Sequence, residues 1–138
     1  ATKEAEIAML KTAGNNDAHI ILRGGKSPNY KEDAIKETLT ALKEAEVNES
    51  IMVDASHGNS QKKFKEQINV INNIGDQISS GNNNLKGVMI ESHIIEGNQK
   101  ISSNLKYGQS ITDACINLDD TSECLESLNR SVLNRRNI

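Results

Sequence analysis

Ile51-Met-Val-Asp54-Ala-Ser-His57 is the stretch that sets the reading of this chain: three apolar residues in a row, then an ionisable and polar cluster. An apolar run without polar alternation suits a strand covered on both faces, as in a parallel sheet with helices outside it. Two more runs have the same shape, His19-Ile-Ile-Leu-Arg23-Gly-Gly-Lys26 before it and Val88-Met-Ile-Glu91-Ser-His93 after it, at intervals of about 32 to 36 residues. Ligands gather at the carboxyl ends of strands in such sheets. Arg23, His57 and Glu91 all fall there.

The intervals between the runs are helix-length. Ile35, Leu39 and Leu42 recur at helical spacing over residues 31–46, after a breaker-rich loop from Arg23 to Tyr30. Ser60 is placed to cap a longer helix reaching residue 79, with Phe64, Ile68, Ile71, Ile74 and Ile78 as its apolar stripe, before Gly81-Asn-Asn-Asn84 turns the chain into a third strand, Gly87 to Ile90. Upstream, Ile7 and Leu10 predict a short helix over residues 3–13. The order is therefore βαβαβ, whose crossovers are right-handed almost without exception. The polar stretch from Glu96 to Gln109 has no clear periodicity and reads as an active-site loop. A last helix is predicted to open at Asp120, with Glu123 in capping-box spacing and Leu125, Leu128, Val132 and Leu133 as its stripe.

Composition narrows the function classes. The chain has 138 residues, enough for one modest domain, but with 2% aromatic residues it has little bulky material for a core. A net charge of −3 gives no general reason to expect nucleic-acid binding, and Phe64, Tyr30 and Tyr107 leave little on which bases can stack. Cys115 and Cys124, nine positions apart, make neither a disulfide framework nor a cysteine zinc site and read as buried free thiols. Without an apolar span or a signal-peptide pattern, no membrane association is expected and a cytoplasmic location is. The chain begins at Ala1 directly before a helical pattern, which suggests further sequence upstream.

His57, Glu91 and Asp113 are the residue types for a divalent metal: one imidazole nitrogen and two carboxylate oxygens suit manganese, iron, cobalt or zinc. Each also has a plainer reading, as a hydrogen-bonded loop histidine, a partner for a nearby cation and the N-cap of a short turn. Arg23 followed by Gly-Gly-Lys26 has the makings of an anion cradle, since a guanidinium holds phosphate or carboxylate bidentately; a salt bridge with a turn is the competing reading. Lys62, Lys63 and Lys65 read as the solvated face of the second long helix. His93 is either a supporting partner or a loop residue, and His19 lies at the opposite strand end, in a structural role.

Taken together, four segments in order closely resemble the carboxyl-terminal part of the type I 3-deoxy-D-arabino-heptulosonate 7-phosphate (DAHP) synthases. They are His19 to Lys26 with Pro28-Asn-Tyr30; Asp54-Ala-Ser-His-Gly-Asn-Ser60; Gly87 to His93 with Glu96-Gly-Asn-Gln99; and Tyr107-Gly-Gln-Ser-Ile-Thr-Asp-Ala-Cys-Ile116. The resemblance implies the final portion, about three strands with their helices, of a single (β/α)8 TIM barrel domain, residues 1–138 being its carboxyl-terminal part and the amino-terminal part lying outside this chain. It implies metal-dependent condensation of phosphoenolpyruvate with erythrose 4-phosphate, the first step of the shikimate pathway to aromatic amino acids. In that family pattern Arg23, with Lys26 and His57, binds phosphoenolpyruvate; His57, Glu91 and Asp113 are metal ligands; and His57 and Asp113 also act in catalysis. A divalent metal, a homo-oligomer and an aromatic amino-acid effector bound near residues 4–13 belong to the same picture. The family's fourth ligand, a cysteine from an early strand, has no counterpart in Cys115 or Cys124. The chain alone is therefore expected to be inactive, its strands exposed at both edges. The alternative is a self-associating, non-catalytic half-barrel that binds metal or phosphate.

Overall fold

The computed structural model describes residue 9 and residues 11–138. The helix expected over 3–13 falls mostly outside them, as does the effector pocket expected beside it. Five strands and three helices follow in the order β1 (Ile20–Leu22), α1 (Glu32–Glu44), β2 (Ile51–Asp54), α2 (Glu66–Ser79), β3 (Leu85–Met89), β4 (Ile95–Asn98), β5 (Gln109–Ser110) and α3 (Leu118–Arg136). The fold is mixed α/β with parallel sheets.

The three apolar runs form one parallel sheet in the order β1-β2-β3, with Leu22 opposite Val53 and Val53 opposite Val88. Alternation divides its faces. Ile51 and Val53 are fully buried and join Ile35, Val70, Ile71 and Ile74 in the core; each isoleucine so buried contributes roughly 1.5–3 kcal/mol. Met52 faces the other way, against Gly87, and Ile21, its partner in register, is 51% exposed. Among the described residues that second face is uncovered, and β1 and β3 each have a single neighbour.

Helix α1 matches its expected span. Ile35 and Leu42 are buried, Glu32 and Asp33 sit in its first turn and Lys43 in its last, as the helix dipole favours. The other boundaries differ from expectation. Ser60 does not cap α2: the chain makes successive turns from Ser56 to Lys65, with Gln61 and Lys62 in left-handed backbone, and the helix starts only at Glu66. Ser60 is instead buried, its hydroxyl directed at the His57 carbonyl. Strand β3 starts and ends slightly earlier than Gly87 to Ile90.

The segment from Glu96 to Gln109 is not a bare loop, since both its ends are strands that pair in parallel. Helix α3 opens two residues before Asp120. Asn117 is its N-cap, accepting from the Asp120 amide at 2.8 Å, so no Asp120–Glu123 capping box forms. The buried face of α3 keeps half of the expected stripe: Leu128 and Val132 pack against the core beside the buried Cys124 and Ser131, whereas Leu125 and Leu133 are exposed. Gly75 of α2 lets Ser131 approach, a Cβ there standing 2.8 Å from its hydroxyl oxygen. Arg135, in the last turn, donates to the Asn82 carbonyl at 3.0 Å.

Candidate metal centre

The carboxyl ends of β1, β2 and β3 converge as the sequence reading requires. Asp54 ends β2, and within three residues the chain turns back so that His57, at φ +46°, lies over it. Left-handed backbone in a non-glycine residue costs about 1–3 kcal/mol, and such outliers concentrate at functional sites. His57 Nδ1 is 2.8 Å from Asp54 Oδ2, and Nε2 is 3.7 Å from Glu91 Oε1.

Glu91 is held from three directions. The Ser56 hydroxyl donates to its Oε2 at 2.6 Å. The buried Gln67 amide accepts from its backbone N–H at 2.8 Å and donates to its carbonyl at 3.2 Å.

Asp113 arrives by another route. Ile116 N–H donates to the Glu91 carbonyl at 3.0 Å, and His93 N–H donates to the Ile116 carbonyl at 2.9 Å, so the segment before α3 runs beside the one after β3. Gly97 and Cys115 exchange backbone hydrogen bonds at 2.8 and 3.2 Å. This β-structured flap brings Asp113 to the other two residues. One ligand-type atom from each of His57, Glu91 and Asp113 lies within 4.8 Å of the others.

Donors bound to one ion at about 2.1 Å stand at most about 4.2 Å apart, a limit the His57–Glu91 pair already meets. One nitrogen and two carboxylates make a borderline-to-hard donor set. The residues fit a divalent metal.

They line a small cavity of about 80 Å³ together with Ser56, Lys62, Phe64 and Ala114. Lys62 is therefore part of the site's wall, not of a solvated helix face. Lys65 is likewise no bystander: its ammonium is 2.6 Å from Asp120 Oδ2, also pairs with Glu96, and lies 5.8 Å from the Phe64 ring centroid. It joins the approach to α2, β4 and the start of α3. A larger hollow of about 490 Å³, lined by His19, Leu42 and Val47, opens at the opposite strand ends and holds no comparable donor set.

Arg23 follows β1, its side chain 60% exposed and its Nε 3.7 Å from Asp54 Oδ2. Gly24 and Gly58 let the two strand-end loops pack backbone to backbone, with Gly58 N–H donating to the Arg23 carbonyl at 3.1 Å. Asn59, also buried, donates to the Leu22 and Asp54 carbonyls at 3.0 and 2.8 Å and accepts from Asn29 N–H at 2.8 Å. Lys26 is exposed in the same loop, away from the cavity. His93 accepts its neighbour's N–H at Nδ1, a loop role, and His19 is exposed at the other strand ends.

Cys115 and Cys124 are free and buried as expected. Burial pushes both thiols above their ordinary range, and nearby carboxylates add to it: Glu91 and Asp113 for Cys115, against an opposing Ser110 hydrogen bond, and Asp120 and Glu123 for Cys124.

Asp54, Ser56, Asn59 and Gln67 were not singled out from sequence as site residues. For Gln67 a signal existed: it is the polar residue on the buried face of α2 that carries Val70, Ile71 and Ile74. For Asp54 it was a carboxylate closing an apolar strand three positions before a histidine.

The chain thus has a parallel α/β fold with a histidine and two carboxylates, a donor set that suits a divalent metal, gathered at its strand ends beside an exposed guanidinium. Comparison with known proteins narrows the reading. The family model described as DAHP synthetase I matches residues 1–126, and the chain belongs to this family.

It is 46% identical over 137 residues to the Phe-sensitive phospho-2-dehydro-3-deoxyheptonate aldolase of Escherichia coli (strain K12), covering 98% of this chain and 39% of that protein. To the Trp-sensitive enzyme of that name from Salmonella typhi it is 44% identical over 135 residues, covering 96% and 39% respectively. The structure of phospho-2-dehydro-3-deoxyheptonate aldolase from Francisella tularensis SCHU S4 superposes with a TM-score of 0.88 at 42% identity, over 93% of this chain and 38% of that one. The chain thus spans about two-fifths of the length of these relatives. Among the described residues, no helix is long and apolar enough to cross a membrane.

Proposed function

We propose that this chain supplies the carboxyl-terminal part of a DAHP synthase, about three strands of a (β/α)8 barrel, and that the remainder of the barrel completes its active site. The reaction is the condensation of phosphoenolpyruvate with erythrose 4-phosphate to DAHP and phosphate, at the entry to the shikimate pathway. The observation that carries this reading is the convergence of His57, Glu91 and Asp113 within 4.8 Å at the strand ends of a chain in this family.

In this reading His57, Glu91 and Asp113 hold a divalent ion, one of manganese, iron, cobalt or zinc, which when bound supplies Lewis acidity toward the aldehyde. Arg23 takes the phosphoenolpyruvate phosphate: its exposed guanidinium has only a loose contact with Asp54, leaving its donors available for bidentate binding. Lys26 adds positive charge from the same loop. His57 also borders that substrate, and Asp113, exposed on the flap, faces the second one. The sheet face with Ile21 and Met52, uncovered among the described residues, and the outer edges of β1 and β3, unpaired among them, are where the amino-terminal part docks. A cytoplasmic homo-oligomer answering to an aromatic amino acid, as the relatives' Phe-, Trp- and Tyr-sensitive names say of them, completes the proposal.

The test is a chimera joining this chain to the amino-terminal part of the Escherichia coli Phe-sensitive relative. It should consume phosphoenolpyruvate only with erythrose 4-phosphate present, lose activity to a chelator, and lose it in His57→Ala and Glu91→Gln variants. A folded, metal-loaded chimera that makes no product would refute the proposal.

The open edges also favour a second reading, a self-paired half-barrel that binds metal without catalysis. Sedimentation of the chain separates the two: a stable metal-binding dimer that the complementing part does not dissociate supports the second.

A further inference from the structure

We infer that Asp54 is a positioning residue: its carboxylate fixes the His57 imidazole in the tautomer protonated at Nδ1, which leaves the Nε2 lone pair directed toward Glu91 and Asp113. The inference rests on the proposed metal-dependent reading and adds to it a residue that touches neither ion nor substrate.

Three observations carry it. Asp54 is 3% exposed, so its orientation is set by protein partners and not by water. Both of its oxygens have a partner: Oδ1 accepts from the Ser56 N–H at 2.8 Å, and Oδ2 faces His57 Nδ1 at 2.8 Å. The first bond fixes which oxygen is presented to the ring. The backbone at φ +46° then folds the imidazole over that oxygen and leaves Nε2 on the far side, 3.7 Å from Glu91 Oε1. A carboxylate oxygen only accepts, so the neutral ring places its proton on Nδ1. Histidines that bind metal characteristically donate their other N–H in this way.

The plainer role for Asp54 is to close the turn through Ser56 alone. Asp54→Asn separates the two. The Ser56 N–H needs an acceptor, which holds the asparagine Oδ1 toward it and turns the amide NH₂ toward His57. The ring must then accept at Nδ1 and carry its proton on Nε2, where it can no longer ligate.

Nitrogen-15 to proton correlation spectra of the metal-free chain, at a pH where the ring is neutral, read the tautomer directly. The wild type should show Nδ1–H for His57, and Asp54→Asn should show Nε2–H with unchanged far-ultraviolet circular dichroism. Titration with Co²⁺ should then show at least about tenfold weaker binding in the variant, the usual cost of losing such a supporting group. A wild-type His57 that is mainly Nε2–H would overturn the inference, as would a variant binding Co²⁺ as tightly as the wild type. The wild-type spectrum decides the matter even where the variant does not fold. A wild type with the Nδ1–H tautomer that binds no Co²⁺, either alone or joined to the complementing amino-terminal part, sinks the metal reading above and leaves the role of Asp54 in orienting the ring standing.

Discussion

Gly24 and Gly58 lie against each other with no room for a side chain on either. A Cβ built on Gly24 would stand 2.5 Å from the Gly58 carbonyl carbon, and one on Gly58 would stand 2.8 Å from that of Gly24. Gly24 also has φ +72°. The contact locks the loop carrying Arg23 to the loop carrying His57.

Alanine at either position should therefore cost more than about 2 kcal/mol, from backbone overlap and, at Gly24, left-handed strain. Gly25→Ala, with nothing within 4 Å of its added carbon, should stay within about 0.5 kcal/mol of wild type. Urea unfolding of the three variants measures the contrast. Equal losses at Gly24 and Gly25 would contradict this account of the loops.

Gln67 is fully buried and serves both backbone groups of Glu91. Gln67→Leu keeps the volume but strands the Glu91 N–H, worth about 1–3 kcal/mol when unsatisfied, while the Glu91 carbonyl keeps its bond from Ile116 N–H. A loss of stability with weaker Co²⁺ binding is expected, seen by unfolding and by titration. Destabilisation with unaltered binding would mean that Gln67 supports the fold but not the position of Glu91.

Lys65 has its pKa raised, first by its hydrogen bond to Asp120 and then by that to Glu96. A cation whose folded pKa lies above its unfolded value stabilises fully below the unfolded pKa, and that contribution fades as pH rises through the folded one. Lys65→Met should thus melt below wild type at neutral pH, with the gap narrowing only in strongly alkaline buffer and also in high salt. Thermal melts across alkaline pH test the sign. A gap that widens with pH would contradict it.

Cys115 and Cys124 should react slowly with a thiol reagent at neutral pH, because burial disfavours the thiolate. Labelling should become fast on unfolding in urea. Fast labelling of either in the folded chain would show that its cover opens.

Much of the sheet could be read from sequence because an apolar run records burial on both faces, and each of the three runs became a strand of the parallel sheet. The three donor residues were recognisable as types, and His57 and Glu91 were placed by the rule that strand ends face the ligand. What positions Asp113 was hidden. Its carrier is a flap held by backbone pairs such as Gly97 with Cys115, and backbone hydrogen bonds leave no mark on side-chain periodicity. The late start of α2 was obscured in the same way, since Ser60 is a good cap by type and only tertiary packing buries it. Along α3, Leu125 and Leu133 suggested a face by hydropathy, while the real contact selected Cys124 and Ser131 for their small size.

His57 and Glu91 lie just past the ends of adjacent strands, β2 and β3, and neighbouring strands stand about 4.8 Å apart by the geometry of their hydrogen bonds. The ladder thus sets where the two segments start, and Asp54, Ser56 and Gln67 set where the two side chains end. Apolar helix positions such as Val70 and Ile74 can drift under that constraint and alter how firmly the sheet is held. Gln67 is the helix residue that cannot drift with them, because its bonds to Glu91 tie α2 to the strand end.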